Sequence, residues 1–354
     1  MTKITLTATG KYDILVENGL LTKTGELTRC VSKAVKVAVI TDSNVAELYS
    51  KTVLQSLKTA GFETSLFVFF AGESSKNHKT MLDIYSFLAE SDITRTDIII
   101  ALGGGVTGDM AGFAAATFLR GIDFIQVPTT LLAQTDSSIG GKTGVDLEQG
   151  KNLVGAFYQP RLVICDPTVL TTLSPHIFND GMAEIVKHGC IKDFKLFEKI
   201  NSANKIDDIL FEMICRSIEI KRDVVENDEK EKGERMLLNF GHTMGHAIEK
   251  FYNFGTYTHG EAVAMGMVLM AEAGEINGFT QKGTTDQIKS LLLKLNLPVE
   301  CPVNIKELAK AAINDKKRSG SSINLVLLKS IGESFTLKLS VTKLESFFSG
   351  GGNK

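Results

Sequence analysis

Over the first 170 residues, short β-branched runs alternate with stretches whose apolar residues recur at helical spacing. No other feature restricts the chain as much. The runs are 36–41 (VKVAVI), 63–70 (ETSLFVFF), 97–102 (DIIIAL), 123–127 (DFIQV) and 162–165 (LVIC), with helical patterns at 45–60, 77–90 and 106–119 between them. Strands separated by helices pair in parallel and need helices on both faces of their sheet. Residues 1–172 are therefore expected to form an α/β domain with a parallel-rich sheet. After about residue 175 the pattern changes, and 180–192, 206–225, 233–252, 259–277, 284–295 and 305–313 read as helices. A late pair, INLVLL (323–328) and SFTLKL (334–339), reads as a hairpin. Residues 173–354 should thus form a second, mainly α-helical domain, with SGGGNK as a frayed end.

Hydrophobic residues make up 43% of the chain and charged residues 23%, enough to bury a large core. A net charge of −2 gives no basis for binding nucleic acid or an anionic membrane. No apolar run is long enough to span a bilayer, and the N-terminus alternates like a strand rather than a signal peptide. A cytoplasmic protein is expected. The cysteines (Cys30, Cys165, Cys190, Cys215 and Cys301) are odd in number, widely spaced and lack a CxxC pair, so reduced thiols are expected.

The strand at 97–102 runs into Gly103-Gly104-Gly105-Val106-Thr107-Gly108-Asp109 and then a helical pattern. Glycines there let backbone N–H groups approach a pyrophosphate, and the helix N-terminus favours its charge. A bare tight turn would look the same, so other strand ends decide. Asp42 and Asn44 follow one strand, Gly72-Glu73-Ser74-Ser75-Lys76 another, and Thr129-Thr130 a third. Polar groups at several carboxyl strand ends share one crevice in an open α/β sheet. A dinucleotide site is expected.

Segment 131–152 (LLAQTDSSIGGKTGVDLEQGKN) shows neither period and reads as a loop presenting Asp136, Lys142, Lys151 and Asn152. In the otherwise apolar 181–189, Glu184, Lys187 and His188 share a helix face. Taken as one helix at roughly 100° per residue, 235–246 places Arg235, Asn239, His242 and His246 within about 60° of one another on an otherwise apolar surface. Glu231 extends that stripe if the helix begins early. Buried polar groups in such concentration usually mark a site. His259 opens the next apolar helix, and Glu184, His242 and His259 would make a three-ligand site with an open position, as in catalytic zinc centres. No HExxH is present. His78 and His176 lack such context and read as surface residues.

These residues resemble the 3-dehydroquinate synthase family. The resemblance is carried by 103–121 (GGGVTGDMAGFAAATFLRG), 126–146 (QVPTTLLAQTDSSIGGKTGVD), 151–160 (KNLVGAFYQP), 181–189 (GMAEIVKHG), 237–249 (LLNFGHTMGHAIE) and 259–263 (HGEAV), in family order. It implies a two-domain enzyme, often a homodimer, with NAD between the domains and one divalent metal, zinc or cobalt. The implied reaction converts 3-deoxy-D-arabino-heptulosonate 7-phosphate to 3-dehydroquinate and phosphate in the shikimate pathway, with NAD recycled within the turnover. By matching motif, the metal ligands would be Glu184, His242 and His259. Asp136, Lys187, Lys221 and Glu231 would lie near the reacting hydroxyls. Lys142, Asn152, Arg235, Asn239 and His246 would hold the carboxylate and phosphate, joined by Lys316 or Lys317. Arg120 would reach a partner subunit's site. Nucleotide contacts would come from Asp42, Asn44, Glu73, Lys76, Gly104, Gly105, Val106, Thr107, Gly108, Asp109, Thr129, Thr130, Lys142, Lys151 and Val169-Leu170-Thr171-Thr172. Thr171 stands where many members carry lysine, and 174–180 (SPHIFND) is atypical.

Other sugar phosphate cyclases, such as 2-deoxy-scyllo-inosose synthases, reuse this scaffold without needing to bind a substrate carboxylate. Arg235, Asn239 and His246 together favour the dehydroquinate reading. A metal-dependent dehydrogenase of the glycerol dehydrogenase type would release NADH instead. A non-catalytic NAD-binding module would have no use for the metal triad.

Overall fold

A computed structural model describes residues 1–316 and 321–350. They form two compact units, Met1–Ser174 with Lys221–Glu229, and Pro175–Ile220 with Lys230 onward. The sequence division at 172/173 assigns Lys221–Glu229 to the second part, whereas its contacts group it with the first.

The first unit is built on a seven-stranded sheet. Its strands are β1 (Thr2–Thr7), β2 (Lys11–Val16), β3 (Lys36–Asp42), β4 (Glu63–Phe69), β5 (Ile98–Gly103), β6 (Asp123–Pro128) and β9 (Leu162–Cys165), in spatial order β1-β2-β9-β6-β5-β3-β4. Every pairing is parallel except the β1–β2 hairpin. β5 reads Ile-Ile-Ile-Ala-Leu-Gly and is buried throughout, as a parallel strand covered on both faces must be. Helices α1 (Thr24–Val31), α2 (a single turn, Ser43–Val45), α3 (Lys51–Thr59), α4 (His78–Glu90) and α5 (Gly105–Thr117) fill the crossovers. On one face, Met110, Ala111 and Ala114 of α5 pack with Met81, Ile84 and Leu88 of α4 over Ala38, Ile40, Ile99 and Phe124.

At the entry to the sheet, buried Asp97 accepts hydrogen bonds from Lys36 N (2.8 Å), Thr94 N (2.9 Å) and Thr94 Oγ1 (2.7 Å). Burial alone would raise its pKa, but these donors outweigh it and hold the carboxyl below the usual aspartate range. A depressed folded pKa contributes stability that is present above the unfolded value, near 3.9, and lost as pH falls through the folded one. Asp97→Ala should lower unfolding stability by about 2–3 kcal/mol at neutral pH, because three donors lose a charged acceptor. The deficit should shrink towards acid pH. Equilibrium denaturation across pH checks this.

The expectation of a structureless 131–152 loop is corrected. Ala133–Ser137 is a π-helical turn, and β7 (Lys142–Leu147) pairs antiparallel with β8 (Gly150–Phe157). Gly144 faces Gly155 across that ladder, and a Cβ on Gly155 would sit 2.1 Å from Thr143 O. Strands that approach this closely carry no alternating side-chain signal, so the period-2 pattern was absent from the sequence.

The second unit is mainly helical, with α6 (Pro175–Lys192), α7 (Phe194–Ser202), α9 (His242–Phe251), α10 (His259–Ile276), α11 (Thr284–Lys294), α12 (Ile305–Lys316) and α13 (Leu344–Phe348). The hairpin β10 (Ser322–Ser330) and β11 (Glu333–Ser340) is present, with Leu325–Leu328 buried. Helix α8 (Leu210–Asn227) contributes residues to both units, changing at Ile220/Lys221. Helix α10 is buried almost all round, from Ala262 to Gly274. No helix among the described residues is long and apolar enough to cross a membrane.

The continuous 233–252 helix is also corrected. Glu234–Asn239 is a short 3-10 helix, Phe240 is extended in ψ, and Gly241 adopts φ +81°, so α9 starts afresh at His242. A left-handed glycine ends one helix and resets the axis of the next. The single stripe joining Arg235 and Asn239 to His242 and His246 therefore does not exist as helix geometry.

Candidate active site

In the first unit, several of the expected nucleotide residues fall at the carboxyl ends of parallel strands, whereas Lys142 and Lys151 lie in the β7–β8 hairpin and Val106–Asp109 within α5. Asp42 ends β3, Gly103 ends β5, Thr129 and Thr130 follow β6, and Pro167–Thr172 follows β9 as a 3-10 turn. From β3 the chain goes to β4 on one side and returns to β5 on the other, so the strand order reverses between β3 and β5. Such switch points open the crevice used by ligands of α/β sheets. Gly104 caps α5 beside it. A Cβ on Gly104 would lie 3.1 Å from Thr130 Cγ2, and one on Gly105 would lie 3.1 Å from Ser137 Oγ. Asp42 Oδ1 accepts from Asn44 N (2.9 Å) and Val45 N (3.1 Å), while Oδ2 accepts from Thr107 Oγ1 at 3.3 Å. The Thr107 bond spans the switch point.

Lys76 is buried and meets Asp109 at 2.7 Å, Glu73 at 3.9 Å and Asn152 Oδ1 at 2.5 Å. Burial would depress its pKa, but Asp109 and Glu73 outweigh that and hold it above the usual lysine value. Lys221, also buried, donates to Asp136 Oδ1 (2.8 Å) and to Asp136 O (2.5 Å). Lys142 is exposed at the start of β7, and Lys151 is half-buried early in β8. Asn152 (φ +55°) and Arg120 (φ +68°) are left-handed, and Arg120 is exposed after α5. Val106 is half-buried and Gly108 buried within α5. Val169 and Leu170 are buried. Thr172 is held by Tyr49 Oη at 2.7 Å, while Thr171 Oγ1 donates to Thr168 O.

In the second unit the chemistry concentrates around Glu184. Midway along α6, Glu184, Lys187 and His188 are all buried. Burying three such groups is costly unless they engage one another or a ligand. Glu184 Oε2 accepts a hydrogen bond from Lys187 Nζ. Glu184 Oε1 faces His242 Nε2 at 3.4 Å and His259 Nε2 at 3.5 Å. One ligand atom from each of the three residues can be chosen so that all lie within 4.8 Å of one another. Bonds of roughly 2.0–2.2 Å from a tetrahedral ion put its ligand atoms about 3.3–3.6 Å apart, so two oxygen–nitrogen edges already match. A carboxylate with two imidazoles is a donor set suited to zinc or cobalt. The residues fit the ion.

Local structure explains how two histidines reach one carboxylate. His242 is the first residue of α9, released by Gly241, and Gly266 of α10 packs so closely that a Cβ there would lie 2.1 Å from Gly241 O. His259 is the first residue of α10, behind a capping box in which Thr258 Oγ1 accepts from Glu261 N and Glu261 Oε2 accepts from Thr258 N. Asp180, in the atypical 174–180 stretch, accepts from Gly260 N and ties the start of α10 to α6. Burial lowers the His242 pKa well below the usual imidazole range against the pull of Glu184, helped by Lys187, His259 and His246. For His259 burial acts the same way, but the flanking Glu184 and Glu249 carboxylates outweigh it and raise the pKa to about 10.

Of the remaining expected residues, His246 stands one turn after His242 with ring centroids 5.4 Å apart, and its ring is 6.1 Å from that of His259. Asn239 Nδ2 donates to Glu231 Oε1, which puts these two together although no helix joins them. Arg235 is 1% exposed. Lys316 ends α12, and Lys317 lies outside the described residues. His176 is exposed, 3.6 Å from Glu261. Two residues were not singled out from the sequence: Asp180 and Glu249. The only sequence signal for Glu249 is an acid three residues after His246.

Residues 66–180 match the family 3-dehydroquinate synthase N-terminal, and 181–318 match 3-dehydroquinate synthase C-terminal. The 3-dehydroquinate synthase of Clostridium botulinum is 48% identical over 340 residues, covering 95% of this chain and 96% of that one. That of Enterococcus faecalis OG1RF is 45% identical over 350 residues, covering 98% of each. Among solved structures, a 2-deoxy-scyllo-inosose synthase complexed with carbaglucose-6-phosphate, NAD+ and Co2+ superposes with TM-score 0.86 at 27% identity, covering 98% of this chain and 99% of that one. A 2-epi-5-epi-valiolone synthase from Streptomyces hygroscopicus with NAD+ and Zn2+ gives TM-score 0.86 at 25% identity, covering 98% of each. A glycerol dehydrogenase from Schizosaccharomyces pombe, at 15% identity and TM-score 0.67 over 96% of this chain and 88% of that one, shares the fold alone. The chain belongs to the 3-dehydroquinate synthase family.

Proposed function

We infer that this chain is a phosphate-eliminating lyase, converting 3-deoxy-D-arabino-heptulosonate 7-phosphate to 3-dehydroquinate and phosphate in the shikimate pathway. The observation that carries the reading is family membership over nearly the whole length, at 48% identity across 95% of the chain. The carboxylate and two imidazoles around Glu184 Oε1 are in keeping with it. Glu184, His242 and His259 would hold one zinc or cobalt ion, and the β3 and β5 ends with their neighbours would hold NAD. When bound, the ion supplies Lewis acidity at a substrate hydroxyl and NAD a hydride acceptor restored within the turnover.

The chain's own residues do the rest. Lys187 holds Glu184 by one oxygen and leaves the other facing the imidazoles. Arg235, Asn239 and His246 are assigned to the substrate's anionic groups, with Lys142, Asn152 and a lysine of 316–317. A buried guanidinium offers the fixed fork that a carboxylate or phosphate needs. Asp136 with Lys221, and Glu231 with Asn239, are carboxylates each held by a donor. That suits them to take and return protons at the reacting hydroxyls. Arg120, exposed and left-handed, is assigned to the site of a second copy in a homodimer. A cytoplasmic location accords with these soluble small-molecule reactants.

Purified protein with the heptulosonate phosphate, NAD and Co2+ should release phosphate and dehydroquinate with no net accumulation of NADH. NADH accumulating from a simple polyol without phosphate release, or turnover of glucose 6-phosphate in place of the heptulosonate, would replace this reading with a dehydrogenase or another cyclase.

A further inference from the structure

We propose that Glu249 is a positioning residue for the metal centre: its carboxylate holds the Nδ1 side of His259, so that Nε2 is the nitrogen presented to the ion. The inference rests on reading Glu184, His242 and His259 as ligands. Glu249 lies in the last turns of α9 and is 2% exposed. Its Oε2 is 3.6 Å from His259 Nδ1, while His259 Nε2 points the other way, 3.5 Å from Glu184 Oε1. The ring is thus set between two carboxylates, one on each nitrogen. The separation at Nδ1 is a charge contact slightly longer than a hydrogen bond, close enough to favour a proton on that nitrogen.

His242 has the same arrangement by other means. Its Nδ1 is 3.2 Å from Phe240 O and its Nε2 is the nitrogen facing Glu184. Phe240 O is placed by the chain reversal at Gly241, so this imidazole needs no side chain to set it. His259 begins a helix behind the Thr258–Glu261 capping box, which uses the nearby polar groups on the helix end itself. The acceptor on its Nδ1 side comes instead from the neighbouring helix, α9. A metal-bound imidazole needs its second nitrogen matched to an acceptor that sets tautomer and ring plane. Among the described groups around His259, Glu249 meets that need.

The test uses the full-length protein stripped of metal and reloaded with Co2+, followed by chelator competition and by the visible absorption of the bound ion. Glu249→Ala should weaken Co2+ binding about 10–100-fold, the usual cost of losing an orienting partner, and shift the Co2+ bands. Glu249→Gln keeps an oxygen that can accept from Nδ1–H, so it should recover most of the affinity and a near-native spectrum. If the alanine variant does not fold, the glutamine variant compared with Glu249→Leu decides, by the same affinity and spectrum. Native affinity and bands in the alanine variant would overturn the proposal. So would equal losses in the alanine and glutamine variants with unchanged bands, the pattern of a packing role. Failure of the ligand reading gives a different result: His242→Ala would then keep the native Co2+ spectrum, and that outcome overturns both.

Discussion

Replacing His242 by alanine is expected to abolish metal retention and catalysis together while leaving the fold intact. The imidazole supplies one of three ligand atoms that lie within 4.8 Å of one another. Its loss should weaken the ion by more than the roughly 10–100-fold that removing an orienting partner costs. Lewis acid assistance is worth several kcal/mol at the transition state, so turnover should drop on the order of a thousandfold or more. The fold should survive for reasons of charge. Glu184 keeps Lys187 on Oε2 and His259 beside Oε1, so no carboxylate is stranded in the interior. Alanine is also a strong helix former at the start of α9. Metal content, turnover and the far-ultraviolet spectrum should be measured on one preparation. Native metal content with native turnover would remove His242 from the ligand set.

The second large effect is at Gly266, which makes no contact with a ligand of its own. A Cβ there would sit 2.1 Å from Gly241 O and 2.9 Å from Gly245 N, both backbone atoms of the neighbouring segment. Alanine in a helix interior is normally worth about 1 kcal/mol over glycine. Here the clash dominates, because α9 must move off α10. The expected cost is about 3 kcal/mol or more, with loss of metal because Gly241 sets the start of the helix that carries His242. Gly245→Ala offers a graded comparison. Its Cβ would lie 3.1 Å from Ala262 O, so a small shift suffices and the loss should be clearly smaller. Denaturant midpoints and metal titration of the two variants test the order. A neutral Gly266→Ala would show that the helices can part without cost.

Both results bear on how the site is built. Gly241 and Gly245 approach α10 closely, through Gly266 and Ala262. The sequence reading treated Arg235 to His246 as one helix, and there it failed. Helical periodicity cannot show that Gly241 is left-handed, because a glycine continues a helix or stops it with the same neighbours. The polar residues do gather in the structure, but by other means. Asn239 meets Glu231 through a side-chain hydrogen bond, and His242 meets His246 within the new helix.

Residues 1–172 were legible because their signal is local. β-Branched runs with helical stretches between them specify a parallel sheet whatever the rest of the chain does, and five of the parallel strands lie where that pattern put them. Glycine at the end of β5 and polar residues after β3 and β6 were legible for the same reason, since carboxyl strand ends follow from strand order. The β7–β8 hairpin was not, because its facing glycines are there for closeness and carry no side chain to alternate. What only the tertiary structure decided is which nitrogen of which histidine faces Glu184, and that Glu249 stands behind His259. Those relations join α6, α9 and α10, whose separation in sequence is large and whose spacing is set by Gly241, Gly266 and the Asp180–Gly260 bond. Periodicity reports which face of an element is buried. Which side chain it meets there is decided by packing between elements, and that leaves no period to read.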